Sequence, residues 1–128
     1  MIPINKWQAI DDFLNSFGWN AYDENSVDTG SSAPSFPYIT YSAQTGVIGQ
    51  VLSLTASLWD RSTSWVSVSD KADAISERIG YGYELVKVDG GYLYLTQGQP
   101  FAQRMSDPED SEIKRIYIIL NAEFLTAD

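Results

Sequence analysis

Apolar residues open the chain at steps of three or four: Ile4, Trp7, Ile10, Leu14 and Phe17. That spacing places them on one face of a helix. Pro3 suits the first turn, where its missing amide is no loss. Gly18 then ends the helix as a C-terminal cap. Trp19 to Tyr22 reads as a short extended piece. DENSVDTGSSAPSFP, residues 23–37, has no period and holds Gly30, Pro34 and Pro37. It reads as a long polar loop or arm. Folding against a neighbouring subunit is one use for such an arm.

The period then changes from helical to alternating. In PYITYSAQTG, Ile39, Tyr41 and Ala43 face one way and Tyr38, Thr40 and Ser42 the other. TGVIGQ, residues 45–50, forms a hairpin tip. In QVLSLTASLWD, Leu52, Leu54, Ala56 and Leu58 make a core face, with Val51, Ser53, Thr55, Ser57 and Trp59 opposite. A second helix is predicted from Ser64 to Ile79. Its stripe is Trp65, Val68, Ala72, Ile75 and Ile79, Gly80 ends it, and Ser62, Thr63 or Ser64 can cap its first amides. YELVKVDGGYLYLTQ contains two strands around Asp89-Gly90-Gly91, a strong hairpin signal. PFAQRMS is a further candidate strand. IKRIYIILNAEFLT closes the pattern, with Ile116, Ile118, Leu120, Ala122 and Phe124 on one face and Arg115, Tyr117, Ile119, Asn121 and Glu123 on the other. The order is helix, hairpin, helix, meander. It predicts one α+β domain over residues 1–128: a mostly antiparallel sheet with two helices packed on one face.

Composition narrows the chemistry more than the fold. The chain has 128 residues, enough for one domain with a real core. It has no cysteine, which removes disulfides, thiolate nucleophiles and zinc–thiolate sites. It has no histidine, which removes Ser-His-Asp and Cys-His catalysis and histidine metal sites. No apolar run suits a transmembrane helix, and MIPINKW lacks the features of a signal peptide. The net charge is −9, from 17 acidic and 8 basic residues. A free duplex-DNA binder needs a basic stripe, and none is present. Such acidity suits a basic partner, or a passage through which DNA slides without sticking.

The densest acidic run is Asp107, Glu109, Asp110 and Glu112. Several oxygen ligands in a short span could serve a hard cation. However, the run lacks the turn glycine of a calcium loop and carries Pro108 in its middle. A polar turn between two strands, opened by Asp-Pro, is the better account. Asp11 and Asp12 are adjacent on a helix, point about 100° apart and read as a solvated face. The glycines at 80, 82, 90 and 91 lack the lysine–serine pair and the element order of a phosphate cradle. A carboxylate hydrolase would need two acids across a cleft, and these acids fall in turns. No enzyme activity, cofactor or metal is expected.

The outward strand positions are more informative. Tyr38, Tyr92, Tyr94 and Tyr117 come from different strands, with Trp59 beside them. A helix layer on one side of a sheet leaves such a face uncovered, and aromatics are enriched at interfaces. Scattered surface aromatics, or a face closed by strand curvature, are the plainer accounts. A carbohydrate- or receptor-binding module could use the same rings by stacking.

PYITYSAQT, LTASLWDRSTSW, KADAISERIG, DGGYLYL, PFAQRMSDPEDSEIKRI and NAEFLTAD together resemble small tail-completion proteins of long-tailed bacteriophages and prophages, the tail-terminator or tail-to-head joining group. The resemblance runs over nearly the whole chain and keeps element order, but no single motif carries it. It implies a virion structural protein, made in the host cytoplasm, that assembles into a ring, typically a hexamer. That ring would cap the tail tube and meet the tail tube protein and a head-completion or connector protein. DNA would pass through its lumen without specific binding. The resemblance supplies no catalytic residues. A head–tail connector or another minor tail protein remains the alternative. Within this reading Arg61 and Arg104, each able to make a bidentate pair with a neighbour's carboxylate, join the five aromatics as interface candidates. An ordinary surface ion pair, worth at most about 1 kcal/mol, is the competing account. The four-acid turn becomes a candidate lumen or partner-facing loop.

Overall fold

The computed structural model describes residues 6–27, 33–44, 52–80, 82–88 and 90–126. Pro3 and Ile4, the hairpin tip at 45–50, Asp89 and part of the polar arm lie outside these. The elements in chain order are α1 (Lys6–Asn15), β1 (Ala21–Asp23), a 3-10 turn (Glu24–Ser26), β2 (Tyr38–Gln44), β3 (Leu52–Arg61), α2 (Val66–Ile79), β4 (Glu84–Val88), β5 (Gly91–Ser106) and β6 (Ile113–Thr126). Six strands form one sheet in the order β1-β2-β3-β6-β5-β4. All neighbours are antiparallel except β1 and β2. The expected α+β architecture, sheet-dominant with both helices on one face, is the one found.

The last strand lies in the middle of the sheet, between the β2–β3 hairpin and the β4–β5 hairpin. Its composition fits that place. Ile118, Leu120 and Ala122 are fully buried toward the helices, where they meet Leu54, Leu58, Leu93 and Leu95. From above, α2 contributes Val68, Ala72, Ile75 and Ile79. Each large side chain buried in this way stabilises the fold by roughly 1.5–3 kcal/mol.

α1 touches both β1 and β4, the two ends of the sheet order. The sheet therefore curls around the helices until its edges approach the same helix. This arrangement selects which side of α1 is buried. Ala9, Ile10, Phe13 and Leu14 are buried, whereas Trp7, expected on the apolar stripe, is 45% exposed. Phe17 lies beyond the helix end and packs partly against the core.

Polar side chains tie the layers together at the helix ends. The Asn15 amide donates to the Asp11 carbonyl while its oxygen accepts the Ala21 N–H, joining α1 to β1. Lys71 on α2 donates to the Phe17 carbonyl. Gln97 on β5 donates to the Ser76 and Gly80 carbonyls, 3.0 Å each, and so satisfies the C-terminal end of α2 from the sheet. At the other end the helix begins at Val66 rather than Ser64, with Trp65 at the N-cap position and no side-chain cap bond from it, while the Ser64 hydroxyl accepts the Val66 N–H and the Ser62 hydroxyl accepts the Ser64 N–H. No described helix is long and apolar enough to cross a membrane.

Two expectations from the periodicity need correction. PFAQRMS is not a separate strand but the second half of β5, which runs unbroken from Gly91 to Ser106 through an irregularity between Gln97 and Ala102. In addition, Asp11 is not merely solvated: its Oδ1 accepts the Tyr41 hydroxyl at 2.8 Å. Asp12 is exposed and accepts the Gln8 side-chain amide.

The Asp11–Tyr41 contact carries a pH prediction. Burial, then the hydrogen bond to Asp11, then the charges of Asp11 and Asp23 hold the Tyr41 phenol well above the ordinary tyrosine range. The folded state thus keeps a proton that the unfolded chain releases near pH 10. Its contribution is complete below about pH 10 and falls as pH rises beyond it. Thermal melts between pH 8 and pH 12 are expected to show a falling midpoint at the alkaline end. The fall should be shallower in Tyr41→Phe. Equal slopes for the two proteins would contradict the assignment.

Candidate functional site: the uncovered sheet face

The helices cover one face of the sheet, and strand alternation sends every second side chain to the other. Registers place Tyr38 beside Trp59, Trp59 beside Arg115, and Arg115 beside Met105. The next row runs Thr40, Ser57, Tyr117 and Gln103. These rows cross four strands, with three rings and the Arg115 guanidinium on β2, β3 and β6 and Met105 and Gln103 on β5. Tyr38 and Trp59 stack with centroids 6.2 Å apart, and Phe36 lies 5.3 Å from Tyr38. The Trp59 indole N–H donates to the Thr40 hydroxyl at 2.9 Å, which fixes the ring plane. The Arg115 guanidinium lies over Trp59 at 4.7 Å and over Tyr117 at 5.7 Å, while its Nε donates to the Ser57 hydroxyl at 3.0 Å. Ser57 is consequently buried although it points away from the helices. Burial also raises the Tyr38 phenol above its usual range.

A second group lies at the far end of the same face. Leu85 flanks Tyr94, and Tyr92 sits between Lys87 and Leu125. Tyr83 stacks on Tyr94 at 4.9 Å. Tyr83, Leu85, Tyr92 and Leu125 are all at least 41% exposed. Between the two groups the face carries Ser53, Thr55, Thr96 and Asn121, with Ile119 as its apolar exception. The five aromatics expected on one face are therefore on one face, divided into a Tyr38–Trp59–Tyr117 group and a Tyr92–Tyr94 group.

The two arginines separate. Arg61 belongs to the uncovered face, where its guanidinium lies 5.7 Å from the Phe36 centroid. Its carboxylate partners are in its own chain: Asp110 at 2.6 Å and Glu112 at 3.4 Å. Arg104 instead pairs with Ile116, a residue of the helix side. There it stacks on Trp65 at 5.0 Å and donates to the Ser69 hydroxyl, and Lys114 approaches the same ring. The β5 irregularity is the cause: Gln97 pairs with Leu120 but Ala102 with Ile118, five residues forward against two back. An odd number of extra residues reverses the alternation.

The four acids form the β5–β6 connection, and two of them build it. Asp107 Oδ1 accepts the N–H groups of Glu109 and Asp110, and Asp110 Oδ1 accepts that of Glu112. The Asp110 carboxyl is held below its usual range by the Glu112 N–H first, and then by hydrogen bonding to Arg61 and the charges of Arg61 and Lys114. The acids thus serve the turn by accepting its amides and anchoring it to β3. Beside the turn, Trp59, Met105, Asp107, Ile113 and Arg115 line a shallow hollow of about 120 Å³ on the uncovered face. Among the described residues no group of three or more acidic side chains is placed to hold a metal ion.

No protein-family model matches this chain, and no curated protein sequence does. A solved structure titled "Virion of native gene transfer agent (GTA) particle" contains a chain of similar fold. The TM-score is 0.63 at 17% identity, over 92% of this chain and 90% of that one. At that identity the likeness establishes the fold. It covers nearly all of both chains, so the likeness is one of the whole fold rather than of a single motif.

The residues that periodicity did not single out are Arg115, Phe36, Thr40 and Met105. Arg115 had a usable signal, since alternation along β6 places it on the same face as Tyr117. Phe36 and Met105 had none: one precedes the strand, and the other depends on the β5 irregularity.

Proposed function

We propose that this chain is a structural virion protein, a tail-terminator or tail-completion subunit that forms a ring, hexameric by resemblance, at the head-proximal end of a tail tube. The observation that carries this reading is the fold likeness, over 92% of this chain, to a chain of a virion particle. The motif resemblance across the sequence points the same way. The uncovered face supplies what assembly needs, namely two aromatic groups free of the chain's own helices. In this reading the chain works by binding rather than by catalysis. Its partners are further copies of itself, the tail tube protein and a head-completion protein. A net charge of −9 suits a lumen that DNA crosses without being held.

Electron microscopy of the purified chain, alone and with polymerised tail tube protein, tests the proposal. Closed rings, and density confined to one end of each tube, are expected. A protein that stays monomeric at every concentration and leaves tube ends bare would overturn it.

A further inference from the structure

Two arginines of the uncovered face are built alike but completed differently. Arg61 lies over Phe36 and is closed by two carboxylates, Asp110 and Glu112. Arg115 lies over Trp59 and Tyr117, is held by Ser57 through Nε, and has no carboxylate within ion-pairing distance among the described residues. Its planar group is clamped in one orientation by two rings and a buried hydroxyl. Much of the entropy cost of using it in a contact is therefore already met within the fold. The shallow hollow beside it offers Trp59, Met105 and Ile113 as apolar walls. A guanidinium fixed against aromatics at the edge of a largely apolar hollow, whose one acid, Asp107, accepts two amides of the turn, has the composition of an interface hot spot.

We propose that Arg115 is the anchor of a protein–protein contact, and that it receives a carboxylate side chain from a second copy of this chain. Local charge complementarity argues for that occupant, set against the long-range repulsion of two chains of net charge −9. The chain carries 17 acidic residues against 8 basic ones, so a neighbouring copy offers an acid-rich surface. The Arg61 cluster shows the finished form of the same motif. The proposal rests on the ring reading, because it requires copies to meet.

Sedimentation equilibrium on the wild type, Arg115→Gln and Arg115→Lys tests it. The wild type is expected to self-associate. Arg115→Gln should weaken association by roughly tenfold or more at low salt. Because two chains of net charge −9 also repel, the salt readout is the difference between the two proteins, which should shrink as salt screens the ion pair. Arg115→Lys keeps the charge but loses the fork, and should recover only part. Matching thermal melts establish that the variants are folded, and if the glutamine variant does not fold, the lysine variant carries the test. Self-association unchanged in both variants would overturn the Arg115 assignment and leave the ring reading intact. A wild type that never associates would overturn both. Association weakened by Arg115→Gln to the same degree at low and high salt would also refute the carboxylate partner.

Discussion

Leu120→Ala will lower the unfolding free energy by about 3–5 kcal/mol, the upper part of the usual range for a buried leucine. Leu120 is fully buried on the central strand, between Leu54 of β3 and Gln97 of β5. Both neighbouring strands are pinned by their own ladders, and α2 lies over them, so the walls of the resulting cavity cannot close in. A domain of this size has roughly 5–15 kcal/mol in all, and one such change consumes a large part of it. Urea denaturation should show a much lower midpoint with an unchanged slope. Asn121→Ala is the internal control. The next residue along faces the uncovered side, is exposed, and should change stability by less than about 0.5 kcal/mol. Similar losses at the two positions would mean that the facing of β6 has been misassigned.

Gly98→Ala will destabilise the protein by about 1–3 kcal/mol, although it adds only one methyl group. A β-carbon at Gly98 would lie 2.6 Å from Cγ2 of Ile119 and 2.8 Å from the Ile119 carbonyl oxygen. The side chain can turn aside, but the carbonyl belongs to the central strand and cannot. Combining the change with Ile119→Ala should therefore restore only part of the loss. Full recovery would show that the obstacle is the isoleucine side chain alone. The position matters beyond stability, because Gly98 lies within the irregularity that decides which face Arg104 and Met105 occupy. Displacing the strand there would disturb the hollow beside Arg115 as well.

Much of the fold was legible because its signals are local. The step from a period of three to four to strict alternation marks helices and strands by steric geometry alone. The β2–β3 hairpin, the β4–β5 turn at Gly90 and the stripe of α2 all follow from it. Part of the candidate surface was equally legible. Tyr38, Trp59 and Tyr117 share a face because alternation within each strand and the apolar side of each strand agree. Arg104 was not legible, since its face depends on extra residues whose bulging appears only when β5 is laid against β6. Trp7 shows the same limit in a helix: a stripe wide enough to include it was present, but the curl of the sheet selected Ala9, Ile10, Phe13 and Leu14 instead.

By itself, the sequence determined the class of the main elements, the buried side of β2, β3 and β6, the absence of histidine and cysteine chemistry, and the strongly acidic charge. These depend on residue type and near-neighbour spacing. Only the tertiary structure decided that β6 lies at the centre of the sheet, that β1 joins it in parallel, and that Arg61 finds its acids within its own chain. It also decided that Arg115 lies over both Trp59 and Tyr117 with no carboxylate in ion-pairing distance among the described residues. All of these are contacts between residues far apart along the chain, chosen by which packing buries the most apolar surface while keeping backbone groups paired. No local pattern encodes that choice.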